Sequence, residues 1–391
     1  MTKVQEYKQC KRCVLDTTSN TIDFDENGIC NYCHAFDRQL TKFITIDPQL
    51  RKRNLDEMVN YIKLCGENKK YDCILGLSGG VDSTYMAYMA KKLGLRPMAV
   101  HFDNGWNSEL AVKNIENIVS KLELDLITYV INWEEFKEMQ LAYLKASVVD
   151  IEVPTDQLIF AALHKIAVQN GIKFILSGSN IVTEYGMPSD WAYRNKSDQT
   201  NLLNIYKAFG RGKTLTTLPK FDLFKKFAYQ SLHGIQTLAL LNYIDFNKAE
   251  VKKLITKELN WRDYGGKHYE SIFTRFYQGY ILPVKFNVDK RKAHLSALIC
   301  SGQITKEEAI AELEEETYDP ILQREDKEFV KKKFDLTELE FQDILKRTRV
   351  EHEFYGVENE SAFSFITYKA IMALPVWGVT NWRRLRNKLK R

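Results

Sequence analysis

The chain has 391 residues, 45% of them apolar and 27% charged, and its 56 basic and 51 acidic residues leave a net charge of +5. This length holds about two or three domains with a full core, and the composition excludes a disordered or fibrous chain. The slight basic excess suits an anionic substrate but is thin for a nucleic-acid binder, so none is expected as a partner. There is no apolar run of about 18 residues and no charged-then-apolar leader. With seven cysteines besides, the expectation is a reduced, cytoplasmic setting.

The first 45 residues carry Cys10-Lys11-Arg12-Cys13 and Cys30-Asn31-Tyr32-Cys33, with Asp25-Glu26-Asn27-Gly28 between them as a hairpin turn. Two CxxC knuckles at this spacing fit a four-thiolate structural zinc site, each knuckle supplying two thiolates to a tetrahedral ion. His34 reads as a neighbour of the site rather than a ligand. Redox dithiols and an iron–sulfur cluster are the competing readings. Such a ribbon staples a segment too small to build its own core. A polar stretch then turns helical over Leu55–Leu64.

The centre of the chain is Tyr71–Gly94. The apolar run Cys73–Leu77 has strand length, Ser78-Gly79-Gly80-Val81-Asp82-Ser83 follows, and the next apolar positions are at helical spacing. A strand–glycine turn–helix junction cradles phosphate, because turn N–H groups and the positive helix end point at the same place. Gly79 and Gly80 allow close approach, Ser78 and Ser83 supply hydroxyl donors, and Asp82 is a cap or a metal contact. Gly212-Lys213-Thr214 mimics the end of a Walker A loop. Lys207 stands where that motif needs its first glycine and no apolar strand precedes it, so it reads as a basic loop.

Pro97–Phe102 reads as a second parallel strand ending in Asp103-Asn104-Gly105-Trp106, Ser108–Leu122 as a helix, and Asp125–Ile131 as a third strand. Trp133–Lys145 is helical, and Val153-Pro154-Thr155-Asp156 opens the helix Gln157–Asn170, with Thr155 and Asp156 either capping it or facing substrate. Lys173–Leu176 is the next strand, and its end, Ser177-Gly178-Ser179-Asn180, is a second small polar turn placed for ATP. Glu184 follows as a metal or substrate contact, or as a plain surface charge. These alternations predict an α/β doubly wound parallel sheet, with ligands at the carboxyl ends of its strands.

Residues 187–218 read as a polar loop of the substrate-binding kind, with Trp191 and Arg194 as candidate contacts. The rest reads as mainly helical. Within it, Asp263–Arg291 sets Lys267, His268, Glu270, Arg275, Lys285, Asp289, Lys290 and Arg291 among aromatics, a combination suited to a nucleotide-sugar diphosphate or to single-stranded RNA. His268 with Glu270 is a candidate acid–base pair. Thr305 with Glu308, and Thr337 with Glu340, have capping-box spacing. An aromatic stretch, 363–382, and a basic tail, Arg383–Arg391, read as a packed terminal helix with a solvated end, with a peripheral membrane foot as the alternative. The division expected is a ribbon over 1–45, an ATP-binding domain over 46–218 and a helical substrate or partner region over 219–391.

The SGGVDS string resembles that of the PP-loop ATPases, the adenine nucleotide alpha-hydrolase-like superfamily, which split ATP into AMP and pyrophosphate. That resemblance implies ATP with Mg2+, catalytic roles for Ser78, Asp82 and Ser83, and an ATP site completed by Gly79, Gly80, Val100, His101, Phe102, Asp103, Gly178, Ser179 and Asn180. With the four-cysteine ribbon, FDNGW, PTD and the GGKHYESIFTRFYQGYILPVKF block, the chain is similar to N-acetyl sugar amidotransferases of bacterial surface-polysaccharide (LPS, O-antigen) synthesis. These are associated with turning an acetamido group of a nucleotide-linked sugar into an acetamidino group, in one branch on a UDP-linked 2,3-diacetamido mannuronic acid. Substrate contacts would then come from Thr155, Asp156, Glu184, Trp191, Arg194, Lys267, His268, Glu270, Arg275 and Lys285.

Ammonia for such a reaction needs a glutaminase with a nucleophilic cysteine. Outside the ribbon only Cys65, Cys73 and Cys300 remain, none in a nucleophile turn. The resemblance implies a separate glutaminase similar to the glutaminase–barrel pair of histidine biosynthesis. The rival is a tRNA-modifying PP-loop enzyme of thiolating or amidating type. Sulfur transfer generally needs paired cysteines after the loop, where this chain has Cys300 alone.

Overall fold

The computed structural model describes residues 6–43 and 47–358. At the N-terminus, Gly28 takes the left-handed conformation (φ +78°) that closes the turn from Asp25, and short bridges pair Gln9 with Asp16 and Phe24 with Cys30. Helix α1 (Asn31–Phe43) leaves the second knuckle, and α2 (Pro48–Cys65) starts where the Asp47 carboxylate accepts the Leu50 N–H at 2.8 Å.

The sheet is built from β1 (Cys73–Gly76), β2 (Pro97–Asp103), β3 (Asp125–Val130), β4 (Phe174–Leu176) and β5 (Gln236–Leu238), all parallel in the order β3-β2-β1-β4-β5. The order runs outward both ways from β1, so β1 and β4 meet at the point where the winding reverses. Their carboxyl ends open the crevice in which such sheets bind ligands. The first four strands lie where the apolar runs predict them. β5 falls in a stretch read as helical, because three residues give too short a pattern to show a period.

The connecting helices cover both faces: α3 (Val81–Lys92), α4 (Glu109–Leu122), α5 (Trp133–Ala146) and α6 (Val153–Gln169). Alternation along β1 decides which face each side chain serves. Cys73, Leu75 and Leu77 pack with α2, α3 and α4, whereas Ile74 packs with Leu163, Ile166 and Ala167 of α6. Helix α6 begins at Val153, so Thr155 and Asp156 lie inside its first turn and neither caps it.

Beyond β4 come α7 (Ile181–Glu184), α8 (Gln199–Phe209), α9 (Leu223–Phe227), α10 (Lys248–Leu259), α11 (Ile272–Phe276), α12 (Leu282–Phe286), α13 (Arg291–Cys300), α14 (Lys306–Glu314), α15 (Pro320–Lys333) and α16 (Glu338–Lys346). The reading of 187–218 as one loop is corrected by α8, which Asp198 caps and which buries Leu202 and Ile205 in the core. Thr305 and Thr337 both form complete capping boxes. Gly212 follows α8 rather than a strand, as the rejected Walker resemblance requires. No helix among the described residues is long and apolar enough to cross a membrane. The aromatic stretch and basic tail at 363–391 lie outside them.

Candidate active site

The glycine turn leaves β1 with Gly79 at φ +83°, and Gly80 starts α3. A side chain on Gly79 would meet the Tyr264 hydroxyl at 2.9 Å, and one on Gly80 would meet Glu270 Oε1 at 3.1 Å. Trp261 Nε1 and Tyr264 Oη both donate to the Gly79 carbonyl, at 2.8 and 3.0 Å. Ser78 and Ser83 hydroxyls lie 3.1 Å apart across the turn.

The second polar turn packs directly on the first. A side chain on Gly178 would come within 3.0 Å of the Asp82 and Ser83 backbone. Asn180 caps α7 and donates Nδ2 to Asp82 Oδ1 at 3.1 Å. Burial raises the Asp82 carboxyl above its ordinary value, while Lys267 and His268 pull it back down.

Two adjoining cavities open here. The first, about 440 Å³, runs from Leu77, Val100, His101 and Phe102 across Ile159 and Leu163 to Thr155, Asp156 and Lys196. Its apolar end lies against the carboxyl ends of β1 and β2. There His101 Nδ1 lies 3.0 Å from the Leu77 carbonyl, Asn107 Nδ2 lies 3.0 Å from His101 Nε2, and Asn107 also reaches Asp103. The second, about 950 Å³, is lined by Asp82, Ser83, Gly178, Ser179 and Glu184 together with Lys248, Lys267, Arg291 and His294. Ser78, His268, Glu270, Gln278 and Lys290 belong to both walls.

His268 Nδ1 lies 3.7 Å from Glu270 Oε1. Burial works to raise the Glu270 carboxyl, but His268 and Lys267 outweigh it and hold it below its ordinary value. Lys267 bonds the Thr183 carbonyl at 3.0 Å and lies 3.4 Å from Glu184. Lys248 and Lys290 have no carboxylate within ion-pair distance among the described residues, and burial lowers the pKa of both. His294, with Nε2 shut from water and unpartnered, is held neutral by burial and by the cations around it. An anion satisfies Lys248 and Lys290.

Several expected contacts are corrected. Trp191 is fully buried in the core. Arg275 is locked onto Asp326 by two bonds of 2.7 and 2.8 Å. Lys285 bonds the Ile344, Leu345 and Arg347 carbonyls at the end of α16. Arg194 is exposed and lines neither cavity. Glu152, Lys248, His294, Trp261 and Tyr264 were not among the candidates. His294 lies just past the end of the charged aromatic block, whereas Glu152 carried no signal of its own.

Away from the cavities, the Sγ atoms of Cys10, Cys13, Cys30 and Cys33 all lie within 4.8 Å of one another, with neighbouring pairs at 3.6–3.9 Å. Ligands about 2.3 Å from a tetrahedral ion stand about 3.8 Å apart, so the set fits zinc. Backbone N–H groups of Arg12, Cys13 and Cys30 point at Cys10 Sγ, which favours its thiolate. His34 bonds Asp25 at 2.8 Å. The ribbon grips α13: Ser296 accepts the Val14 N–H, and Lys292 pairs with Asp16.

Residues 270–371 match the family described as LPS biosynthesis protein WbpG-like, C-terminal domain, and residues 72–180 match that of queuosine biosynthesis protein QueC. An uncharacterized protein, MJ1599 of Methanocaldococcus jannaschii, is 23% identical over 318 residues, covering 78% of this chain and 93% of that protein. The tRNA(Ile)-lysidine synthase of Chlamydia pneumoniae is 36% identical over 69 residues, 17% of this chain and 21% of that enzyme. Among solved structures, NMN synthetase from Francisella tularensis (17% identity, TM-score 0.28, covering 55% of this chain and 96% of that one) and NH3-dependent NAD synthetase from Campylobacter jejuni (15%, 0.27, 55% and 85%) are similar too weakly to add to the topology. The chain is thus an ATP-dependent enzyme that joins a PP-loop domain to a WbpG-like C-terminal domain, a pairing consistent with the WbpG-type amidotransferase family.

Proposed function

We propose that the protein converts an acetamido group of a nucleotide-linked sugar, of the UDP-2,3-diacetamido mannuronic acid type, into an acetamidino group, using ATP and ammonia in the synthesis of a surface polysaccharide. The observation that carries this reading is the shared wall of the two cavities. The phosphate cradle of the PP-loop domain opens onto Lys267, His268, Glu270, Lys290 and His294 of the C-terminal half, so a second anionic substrate meets ATP at its α-phosphate.

An amide oxygen is a poor leaving group. Its attack on the α-phosphorus releases pyrophosphate into the Ser78–Ser83 cradle and leaves an O-adenylyl imidate, which ammonia then attacks as AMP departs. The turn N–H groups, Ser78, Ser83 and Lys248 hold the phosphate oxygens, and Asp82 and Glu184 are the carboxylates placed to hold Mg2+, which would bridge phosphate charge. Positioning the amide carbonyl against the α-phosphorus is the chain's main contribution to the rate. Zinc in the ribbon would be structural.

The test incubates the UDP-diacetamido sugar with ATP, magnesium and ammonium chloride and reads the product by mass spectrometry. Replacement of one oxygen by NH supports the proposal; an unchanged sugar refutes it. Purified chain should use ammonium and not glutamine, in keeping with a separate glutaminase. The local likeness to tRNA(Ile)-lysidine synthase favours a second reading, amidation of tRNA. A titration of the protein with tRNA against UDP-sugar separates the two.

A further inference from the structure

The polar end of the first cavity brings a buried cation and a carboxylate together. Lys290 is only 8% exposed, borders both cavities, has no carboxylate within ion-pair distance among the described residues, and sits over the Tyr277 ring at 5.2 Å. A buried, unpartnered ammonium calls for an anion. Lying on the wall shared by the two cavities, it is placed to take a phosphate of ATP bound at the glycine turn. Facing it is Glu152, whose carboxylate accepts one bond, 2.8 Å from Thr274 Oγ1, and has no other protein donor among the described residues. The Thr155 hydroxyl in the same wall is shut from water without a partner.

Of the groups around Glu152, Lys290 and the Thr274 hydroxyl draw its carboxyl down, and burial with Asp156 outweighs them. From the preceding segment, Asp150 is buried and paired with Lys196; from α6 itself, Asp156 lies 3.1 Å from Lys196; from α11 comes Thr274. The Tyr277 phenol is spent on the Val149 carbonyl. Lys196 therefore serves the two aspartates, and Lys290 is left to the phosphate. Burial first, and Asp156 second, push the Glu152 carboxyl up to about 7.

Resting on the amidating reading above, we infer that Glu152 is the group that binds ammonium and takes its proton, beside the phosphate held by Lys290. Ammonium has no lone pair and cannot attack. Transfer of one proton to the Glu152 carboxylate leaves ammonia, whose lone pair forms the new C–N bond to the imidate carbon. The C–O bond to AMP breaks and its electron pair leaves with the phosphate. Starting from the neutral imidate, the three hydrogens of ammonia end on the amidinium product after an internal shift, and the proton on Glu152 returns to water. A carboxylate titrating near the working pH is the kind of base this step needs.

The experiment compares ammonium chloride with hydroxylamine, a nucleophile mostly uncharged at neutral pH, in the full chain with ATP and the UDP-diacetamido sugar. Glu152→Gln should lose about 100-fold in ammonium-dependent turnover at pH 7. It should recover as pH rises and free ammonia accumulates, and should lose far less with hydroxylamine. Thr274→Val, which removes the bond orienting Glu152, should shift the same ratio in the same direction by a smaller factor and covers the case in which Glu152→Gln folds poorly. An unchanged ratio of the two nucleophiles in both variants overturns the inference and leaves the amidating reading standing. A wild-type chain that shows no sugar-dependent ATP–pyrophosphate exchange overturns both.

Discussion

Trp261 donates its indole N–H to the carbonyl oxygen of Gly79 at 2.8 Å, across 182 positions of sequence. The bond fixes the peptide of the phosphate turn whose N–H groups must face the ligand, and Tyr264 repeats it from the same segment. The C-terminal half therefore holds the shape of a turn that belongs to the first half.

Trp261→Phe keeps the buried ring and loses the donor. It should cost about 1–2 kcal/mol of stability, the range for a buried hydrogen bond left with one partner. It should also raise the KM for ATP more than it lowers kcat. Chemical denaturation and steady-state kinetics read the two effects.

Gly178→Ala places a methyl group 3.0 Å from the backbone of Asp82 and Ser83, where no flexible side chain can yield. The two turns must separate. The expected result is a loss of about 1–3 kcal/mol with ATP–pyrophosphate exchange falling at least about tenfold, because the Asn180–Asp82 bond is pulled apart with them.

Zinc removal should act at a distance. The ribbon is tied to α13 through Val14 and Asp16 and to α14 by the bond from Lys306 to the Cys10 carbonyl, and α13 carries His294 into the second cavity. Cys30→Ser should lower bound zinc from one ion per chain and reduce the melting temperature, with turnover falling in proportion to the zinc lost. Metal analysis beside a thermal melt checks both.

Glu152, partly buried, and His352, buried, set opposing pH slopes. Glu152, raised to about 7, binds its proton more tightly when folded, so its contribution is present at low pH and is lost as pH rises towards 7. His352, depressed to about 4 chiefly by burial, contributes above the ordinary histidine range and is lost as pH falls through it. Each is worth about 1.4 kcal/mol per pH unit where it acts alone. Between about pH 4.5 and 6.5 they oppose each other. Glu152→Gln should unmask a stability that rises with pH, and His352→Gln one that falls. Denaturant midpoints measured across this range test the signs.

The features legible in the chain were those whose chemistry is local. Cys10, Cys13, Cys30 and Cys33 come together because each knuckle spans one turn, and Ser78–Ser83 forms its cradle because glycine conformation and helix start are set by adjacent residues. The capping boxes at Thr305 and Thr337 belong to the same class. The corrections fell where a charge can be consumed by something remote. Arg275 and Lys285 have the composition of substrate contacts, yet Asp326 and the carbonyls of α16 claim them.

By itself the sequence determined a thiolate cluster, a phosphate-cradling turn and the first four strands of a parallel sheet, since each depends on residues within a few positions of one another. Tertiary structure alone decided which cations and carboxylates remain free to act. Lys290 is free because Lys196 serves Asp150 and Asp156, and Glu152 faces it only because α6 and α11 converge there. The reason is physical: whether a buried charge is spent or available depends on the partners that distant segments bring within about 4 Å.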